Sequence, residues 1–211
     1  MNIFINISGV YEEEGQILPG ATTVDLKELP GTCCYCDSEA ESAIRQAISP
    51  LPLAAVHWID TGDYHYISKL WMEKIDVPFV LALFDNHPDD QQTAFGGLLS
   101  CGSWVQAARE GLPLMMADYL NSASIPDDLP VYLSVDLDIL DRQYARTDWD
   151  QGRKSLDELI TDIKQIAVRH RIMGADICGG ITVTKGAVPE DLRINRTTRQ
   201  RLGNILSSLI H

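Results

Sequence analysis

Aspartate and histidine side chains occupy alternate positions directly after one apolar stretch of the chain. Asp85, His87 and Asp89 follow the run Phe79–Phe84. If the extended backbone of a strand continues past Phe84, these alternate side chains share one face and converge at the strand end. Carboxylates and imidazoles are ligands for divalent metal ions, so the motif predicts a metal site. The alternative interpretation is a polar loop in which aspartate and asparagine residues form turns.

A second pair of aspartates has the same spacing after another apolar stretch. Asp136 and Asp138 follow Val131–Val135. Two like charges buried side by side cost free energy unless a cation neutralises them, and this favours metal binding by the pair. The alternative is that one of the two carboxylates caps a loop.

A histidine and an aspartate come shortly after a third apolar stretch. Asp63 and His65 lie just beyond Ala54–Ile59. His65 is a candidate metal ligand, and Asp63 could orient its ring through a hydrogen bond. The alternative is a histidine that packs at the start of a helix.

Short apolar runs alternate with amphipathic ones along the chain, and these elements must position the polar side chains. Strands are predicted at Asn2–Ile7, Ala54–Ile59, Phe79–Phe84, Leu114–Ala117, Val131–Val135 and Ile172–Ile177. Helices are predicted at Glu39–Ile48, Tyr66–Lys74, Trp104–Glu110, Ser155–His170 and Asp191–Ile210. Ser155 and Glu158 have the spacing of a capping box, in which each side chain bonds the other's backbone N–H.

This alternation of elements predicts an α/β fold with a mainly parallel sheet. Strands that are apolar throughout must be covered on both faces, which gives three layers of helix, sheet and helix. Polar stretches at Tyr119–Pro130 and Asp141–Gly152 are predicted to be loops. The second lies beyond the carboxyl end of a strand, where ligands bind in such sheets.

The length and charge of the chain limit its function. Its 211 residues suit a single domain, 1–211, and its formal net charge of −13 argues against nucleic-acid binding, which needs a basic face. No apolar run approaches the roughly 20 residues of a membrane-spanning helix. Met1–Val10 has no basic flank and no small-residue cleavage site. We therefore expect a cytoplasmic protein without membrane contact, whose five cysteines are reduced thiols.

The three motifs together resemble the ureohydrolases, the family of arginase and agmatinase. In those proteins a Gly-Asp-His element, an Asp-x-His-x-Asp element and a Ser-x-Asp-x-Asp-x-x-Asp element follow one another at the ends of parallel strands. Here they correspond to Gly62–His65, in which Tyr64 is inserted, to Asp85–Asp89 and to Ser134–Asp141. The resemblance covers roughly residues 54 to 180. It implies an arginase–deacetylase type of α/β sandwich.

The resemblance also implies a site for two manganese ions. One ion would be held by His65, Asp85, Asp89 and Asp136, and the other by Asp85, His87, Asp136 and Asp138. Asp85 and Asp136 would bridge the ions and belong to the catalytic machinery, with Asp141 as a supporting group. Two such ions about 3.5–4 Å apart share a water and lower its pKa.

Two segments depart from the family pattern. The family has a proton-shuttling histidine where this chain reads Leu98–Trp104, and a guanidinium-binding glutamate where it reads Gly174–Gly180; neither segment contains that residue. Asp176 is the nearby carboxylate, and with Cys101 it is our candidate for substrate binding.

The cysteines allow two interpretations. One of Cys101 and Cys178, together with Cys33, Cys34 or Cys36, could approach the metal site and shape the substrate pocket. The alternative is that they are small buried apolar residues.

The sequence thus predicts a metal-dependent hydrolase of a non-peptide C–N bond in a small molecule. A deacetylase-like or amidohydrolase-like enzyme on the same fold is a second hypothesis, and a metal-binding relative without turnover is a third. Relatives in the family are often oligomeric, so a homo-oligomer is possible.

Overall fold

The computed structural model describes residues 1–16, 19–93, 96–118, 125–126 and 128–210. The strands in this part of the chain are β1 (Asn2–Asn6), β2 (Thr22–Asp25), β3 (Tyr35–Cys36), β4 (Val56–Ile59), β5 (Phe79–Phe84), β6 (Leu99–Ser100), β7 (Leu114–Asp118), β8 (Val131–Asp136) and β9 (Ile172–Cys178). Seven of them form one sheet in the order β2-β1-β4-β9-β8-β5-β7, in which all neighbours are parallel. The short strands β3 and β6 form a separate antiparallel pair.

Helices cover both faces of the large sheet. They are α1 (Val10–Glu13), α2 (Ser38–Ile48), α3 (Ile67–Met72), α4 (Trp104–Gly111), α5 (Leu156–Arg169) and α6 (Pro189–Leu209). One apolar core joins α5 and α6 to one face, and a second joins α2, α3 and α4 to the other. Every residue of β4, β5 and β8 is therefore buried. The three-layer α/β sandwich predicted from the apolar strands is confirmed.

The predicted start of α5 is correct, because a capping motif within a few residues determines it. Ser155 and Glu158 form the predicted capping box at the start of α5. The last helix begins at Pro189 and not at Asp191, because proline fits the first turn of a helix, where its missing N–H is not needed. The strand β2 was not predicted, since its residues alternate between exposed and half-buried at the edge of the sheet. Most of the predicted loop Tyr119–Pro130 lies outside the described residues.

The sheet order brings the carboxyl ends of four central strands together. β4, β9, β8 and β5 are consecutive neighbours, and the polar motifs follow three of them. The irregular segment 141–152 lies beyond the end of β8. In the part of the chain that the structure describes, no helix is both long and apolar enough to cross a membrane.

Candidate metal centre

The six predicted metal ligands lie at the carboxyl ends of the central strands. Asp85 directly follows β5, and Asp136 is the last residue of β8. Asp138 lies in a 3-10 turn after β8, and His65 lies at the end of a 3-10 turn after β4. Because parallel strands end at the same edge of the sheet, residues that are distant in sequence meet there.

One group of ligands surrounds the ring of His65. His65 Nδ1 lies 3.1 Å from Asp85 Oδ2, 3.2 Å from Asp89 Oδ2 and 3.5 Å from Asp136 Oδ2. The side chains of His65 and Asp85 are each 2% exposed. Trp104 Nε1 donates a hydrogen bond of 2.7 Å to Asp89 Oδ2 and fixes that carboxylate. This is the set predicted for the first ion.

A second group contains Asp85, His87 and Asp138. His87 Nδ1 lies 2.8 Å from Asp138 Oδ2 and 3.6 Å from Asp85 Oδ1. The backbone N–H of Asn86 donates to Asp138 Oδ1 at 3.0 Å. Asp138 N donates to Asp136 Oδ1 at 2.9 Å, so the two groups adjoin. Asp85 belongs to both, with one oxygen toward His65 and the other toward His87.

The pKa shifts of its histidines and aspartates indicate that this cluster favours positive charge. Burial alone would lower the pKa of His65, but the carboxylates of Asp85 and Asp89 raise it well above its usual value. Asp138, and then Asp85, raise the pKa of His87 to about 10. Burial, followed by the charges of Asp138 and Asp85, raises the pKa of Asp136 well above its usual value. Each of these shifts reflects the density of negative charge in the cluster, which divalent cations would offset.

The geometry and chemistry of the donors fit divalent ions. Ligands about 2.1 Å from an octahedral ion lie about 3 Å from one another. The distances of 3.1 and 3.2 Å from His65 Nδ1 to Asp85 and Asp89 match such an edge. Carboxylates with imidazole suit a moderately hard ion such as manganese.

Behind His65, a buried chain of hydrogen bonds fixes the ring. Its Nε2 lies 2.9 Å from Ser134 Oγ, and Ser134 Oγ donates to Asp176 Oδ1 at 2.7 Å. Since the Ser134 hydroxyl gives its proton to Asp176, it accepts one from Nε2. The lone pair of neutral His65 is then on Nδ1, toward Asp85, as metal binding requires.

The position of Asp176 corrects our prediction that it binds substrate. Its side chain is fully buried, and it lies beneath Ser134 and His65 and does not line the cavity. The reason is its register: Asp176 pairs with Ser134, two residues before the end of β9, so it is below the strand tips. Asp176 orients a candidate ligand.

Two further predictions are also corrected by the contacts. Asp141 does not line the cavity; its carboxylate accepts a hydrogen bond from Gln143 N at 3.0 Å and stabilises a local turn. Asp63 does not orient His65. Its carboxylate bonds Lys185 Nζ and receives the thiols of Cys33 and Cys34. Both residues lie in turns beyond the strand ends, where their side chains bond other partners.

A cavity of about 320 Å³ opens above the cluster. Besides the six candidate ligands it is lined by Cys34, Tyr35, Gln91, Ser100, Cys101 and Trp149, with Gly62 and Gly102. Cys101 lines the cavity, and its role in substrate binding stays a prediction. Trp149, from the irregular segment 141–152, stands against His87 with ring centroids 5.9 Å apart. Gln91 and Ser100 were missed, since neither follows a strand in a recognisable motif.

The cysteines divide between the two interpretations. Cys34 and Cys101 line the cavity, and Cys178 lies beneath the cluster, where its Sγ donates to Thr61 O at 3.4 Å. Cys36 is a buried apolar side chain in the core. Cys34 has a φ of 58° and Asp89 one of 48°, and these are the non-glycine residues with positive φ in the described part of the chain. Such conformations concentrate at functional sites.

Comparisons with known proteins identify one relative in sequence and several structures with the same fold. No protein-family model matches the sequence. An uncharacterized protein of Thermotoga maritima is 31% identical over an alignment 194 residues long, which covers 83% of this chain and 78% of that protein. The structure of proclavaminate amidino hydrolase from Streptomyces clavuligerus has a TM-score of 0.68 at 14% identity, over 100% of this chain and 92% of that one. A triple mutant of a T. brucei arginase-like protein, bound with Mn2+, has a TM-score of 0.59 at 14% identity, over 99% and 89% of the chains.

Proposed function

We propose that this chain, which belongs to one family with the uncharacterized Thermotoga maritima protein and has the ureohydrolase fold, is a metal-dependent hydrolase. The enzyme hydrolyses a non-peptide C–N bond in a small molecule, and its cofactor is a pair of manganese ions. The T. brucei arginase-like mutant with the same fold binds Mn2+, which supports the choice of metal.

The shared carboxylate of Asp85 carries the proposal. His65, Asp85 and Asp89 form one group of potential ligand atoms, and Asp85, His87 and Asp138 form another, with all atoms of a group within 4.8 Å of one another. Two ions that share a ligand are close enough to act on one substrate. A single structural ion would not require a second, half-exposed group around His87.

When bound, the ions would supply Lewis acidity that activates a water and polarises the carbon under attack. The chain provides the frame for this chemistry. The Ser134 hydroxyl holds the proton of His65 on Nε2 and keeps Nδ1 available. His87 faces the cavity with its side chain 33% exposed, where the ring of Trp149 packs against it and limits the access of bulk water.

The cavity wall favours a substrate without a charged tail. Among the described residues that line it, the charged side chains are the six candidate ligands alone, and neither lysine nor arginine is present. A substrate carboxylate would find no cation there, and a guanidinium group no carboxylate outside the cluster. The polar groups that remain are the amide of Gln91, the hydroxyls of Tyr35 and Ser100, and thiols. We therefore favour uncharged ureas and primary amides that carry no carboxylate, over amidines and guanidines, which are cations at neutral pH.

The test is a substrate panel with the manganese-loaded protein. Guanidino compounds, amidines, ureas and simple amides are incubated with it, and the release of urea, ammonia or amine is measured. We expect turnover that depends on manganese and disappears in Asp85→Ala. Release of a carboxylate from N-acyl amines would identify the deacetylase-like alternative. A protein with two bound ions and no turnover on the panel would contradict the proposal and favour a non-catalytic relative.

A further inference from the structure

We propose a second metal site in this protein, for a thiophilic divalent cation such as Zn2+, formed by Cys33, Cys34 and Asp63. The site is separate from the carboxylate and histidine cluster and shares no side chain with it. The three donors come from two distant segments: the loop before β3 and the turn between β4 and His65. This inference goes beyond the proposed hydrolase function and does not depend on it.

The sulfur–oxygen distances are close to those of a tetrahedral site, and the two thiols face different oxygens of the Asp63 carboxylate. Cys34 Sγ lies 3.4 Å from Asp63 Oδ1, and Cys33 Sγ lies 3.7 Å from Asp63 Oδ2. Sulfur at about 2.3 Å and oxygen at about 2.0 Å from a tetrahedral zinc ion are about 3.5 Å from each other. The three residues form a group whose ligand atoms all lie within 4.8 Å of one another. The exposure of Cys33 leaves the fourth position open to solvent.

The backbone holds the two thiols in place. Cys34 adopts a φ of 58°, which is unfavourable for a residue with a side chain, and so turns its thiol toward Asp63. Its carbonyl accepts a hydrogen bond of 2.9 Å from Cys101 N, which extends the antiparallel pair of β3 and β6 by one residue. The backbone hydrogen bonds of this antiparallel pair thus maintain the conformation of Cys34. The thiols of Cys33 and Cys34 both face the carboxylate of Asp63.

The electrostatics of the group favour a cation. Asp63 is 3% exposed. Lys185 contacts one of its carboxylate oxygens, Oδ2. Its other oxygen faces Cys34. A metal ion at that oxygen would offset its charge and would bind the thiolate of Cys34 directly.

The donors of the two sites differ in softness. Thiolates select zinc and similar ions, whereas carboxylates with imidazole suit manganese. The two sites are also mechanically connected, because Asp63 is two residues from His65 and Cys34 lines the cavity. An ion at the thiol site would join the cavity wall to the turn that carries a ligand of the main cluster.

The experiment uses the full chain, stripped of metal by a chelator and titrated with Co2+ under reducing conditions. Thiolate bound to Co2+ gives a charge-transfer band in the near ultraviolet, which carboxylate and imidazole do not give. We expect this band in the unaltered protein, whose main cluster also takes up Co2+, and we expect it to saturate at about one equivalent in Asp85→Ala, whose main cluster is broken. Zn2+ should abolish the band and protect two thiols from a thiol reagent.

Single substitutions identify the residues that give rise to the band. Cys33→Ser and Cys34→Ser should each lose most of it, and Asp63→Asn should weaken its binding at least tenfold, while all three keep Mn2+ at the main cluster. Cys36→Ser, which changes the buried thiol of the same segment, should keep the band. Retained Mn2+ binding shows that a variant has folded. The proposal is overturned if the unaltered protein gives no band, if the band survives both cysteine variants, or if it disappears in Asp85→Ala.

Discussion

The imidazole of His65 presents its Nδ1 to the carboxylate of Asp85 at a distance of 3.1 Å, with both side chains almost fully buried. The other oxygen of Asp85 lies 3.6 Å from His87 Nδ1. One carboxylate thus contacts both histidines of the candidate metal centre. Removing it should affect two ions at once, whereas removing a ligand of one group alone, such as Asp89 or His87, should affect mainly one.

The first prediction concerns the loss of this shared ligand. Asp85→Ala should reduce bound manganese from two ions per chain to less than about 0.2, because each group loses a carboxylate and the like charges around it remain. Elemental analysis after dialysis measures the content. The control is Asp90→Ala, which changes a neighbouring aspartate whose ion pair with Arg109 is on the surface. Full metal content in Asp85→Ala would show that the ions, if any, bind elsewhere.

The second prediction concerns the hydrogen bonds behind His65. Ser134→Ala removes the acceptor of the Nε2 proton, so the ring loses its fixed tautomer and orientation. Manganese affinity should fall about 10- to 100-fold, as is typical when the partner of a ligating histidine is lost. Asp176→Asn keeps an acceptor for the serine hydroxyl and should cost less. Isothermal titration with Mn2+ measures the manganese affinity of both variants. Equal affinity in Ser134→Ala and the unaltered protein would contradict the role of these hydrogen bonds in orienting His65.

The sequence was sufficient to predict the layers of the fold and the places of the six candidate ligands at the strand ends. A strand such as β5, buried at every position, can exist only between two layers of helix, so its composition determines its place. The alternation of Asp85, His87 and Asp89 likewise depends on local geometry. These features are encoded within a few residues of one another.

The side chains beyond the strand ends could not be predicted in this way. Asp176 and Ser134 meet because β8 and β9 pair in one register, and this register depends on the whole sheet. Asp63 belongs to a turn whose partner, Lys185, is 122 residues away. Sequence spacing gives no information about such contacts, and for this reason the roles predicted for Asp63 and Asp176 were wrong.

The third prediction concerns the wall of the cavity. Trp149 stacks edge-on against His87 and is 40% exposed, so it belongs to the rim and not to the core. Trp149→Ala should raise KM about tenfold with little change in kcat, because it removes apolar contact with the bound substrate but no ligand of the ions. Trp149→Phe should restore most of the loss. A variant with unchanged KM, measured on the best substrate of the panel, would exclude the ring from binding.

The fourth prediction uses two glycines with similar backbones and different surroundings. Gly179 has a φ of 94°, and a Cβ there would overlap the carboxylate of Asp136 and lie 2.9 Å from Leu137 N. Gly186 has a φ of 101° and open space around it. Gly186→Ala should cost about 1–2 kcal/mol of unfolding free energy from backbone strain alone. Gly179→Ala should cost more and should also weaken manganese binding, because Asp136 must move.

Urea unfolding and titration with Mn2+ separate the two effects. Equal loss of stability in both variants, with manganese affinity retained in Gly179→Ala, would mean that the position of Asp136 is not constrained by the close approach of Gly179.

The environment of His57 makes the stability of the protein depend on pH. The ring is fully buried and stacks on Trp71 with centroids 3.7 Å apart, and its Nδ1 lies 3.0 Å from Tyr132 Oη. Burial lowers the pKa of His57 from 6.5 to about 3. The folded protein therefore holds this histidine neutral at pH values where the unfolded chain binds a proton.

The fifth prediction follows from that difference. Because the pKa of His57 is lower in the folded state, its contribution to stability is complete above pH 6.5 and is lost as the pH falls from 6.5 toward 3. Over this window the unfolding free energy should fall by a few kcal/mol on account of His57, at about 1.4 kcal/mol for each unit of pKa difference. His57→Gln, which cannot take up a proton, should be less stable at pH 7 and should lose less stability between pH 6.5 and 4. The unfolding free energies of the two proteins are measured with urea across that range. If both fall by the same amount, His57 is not the group responsible.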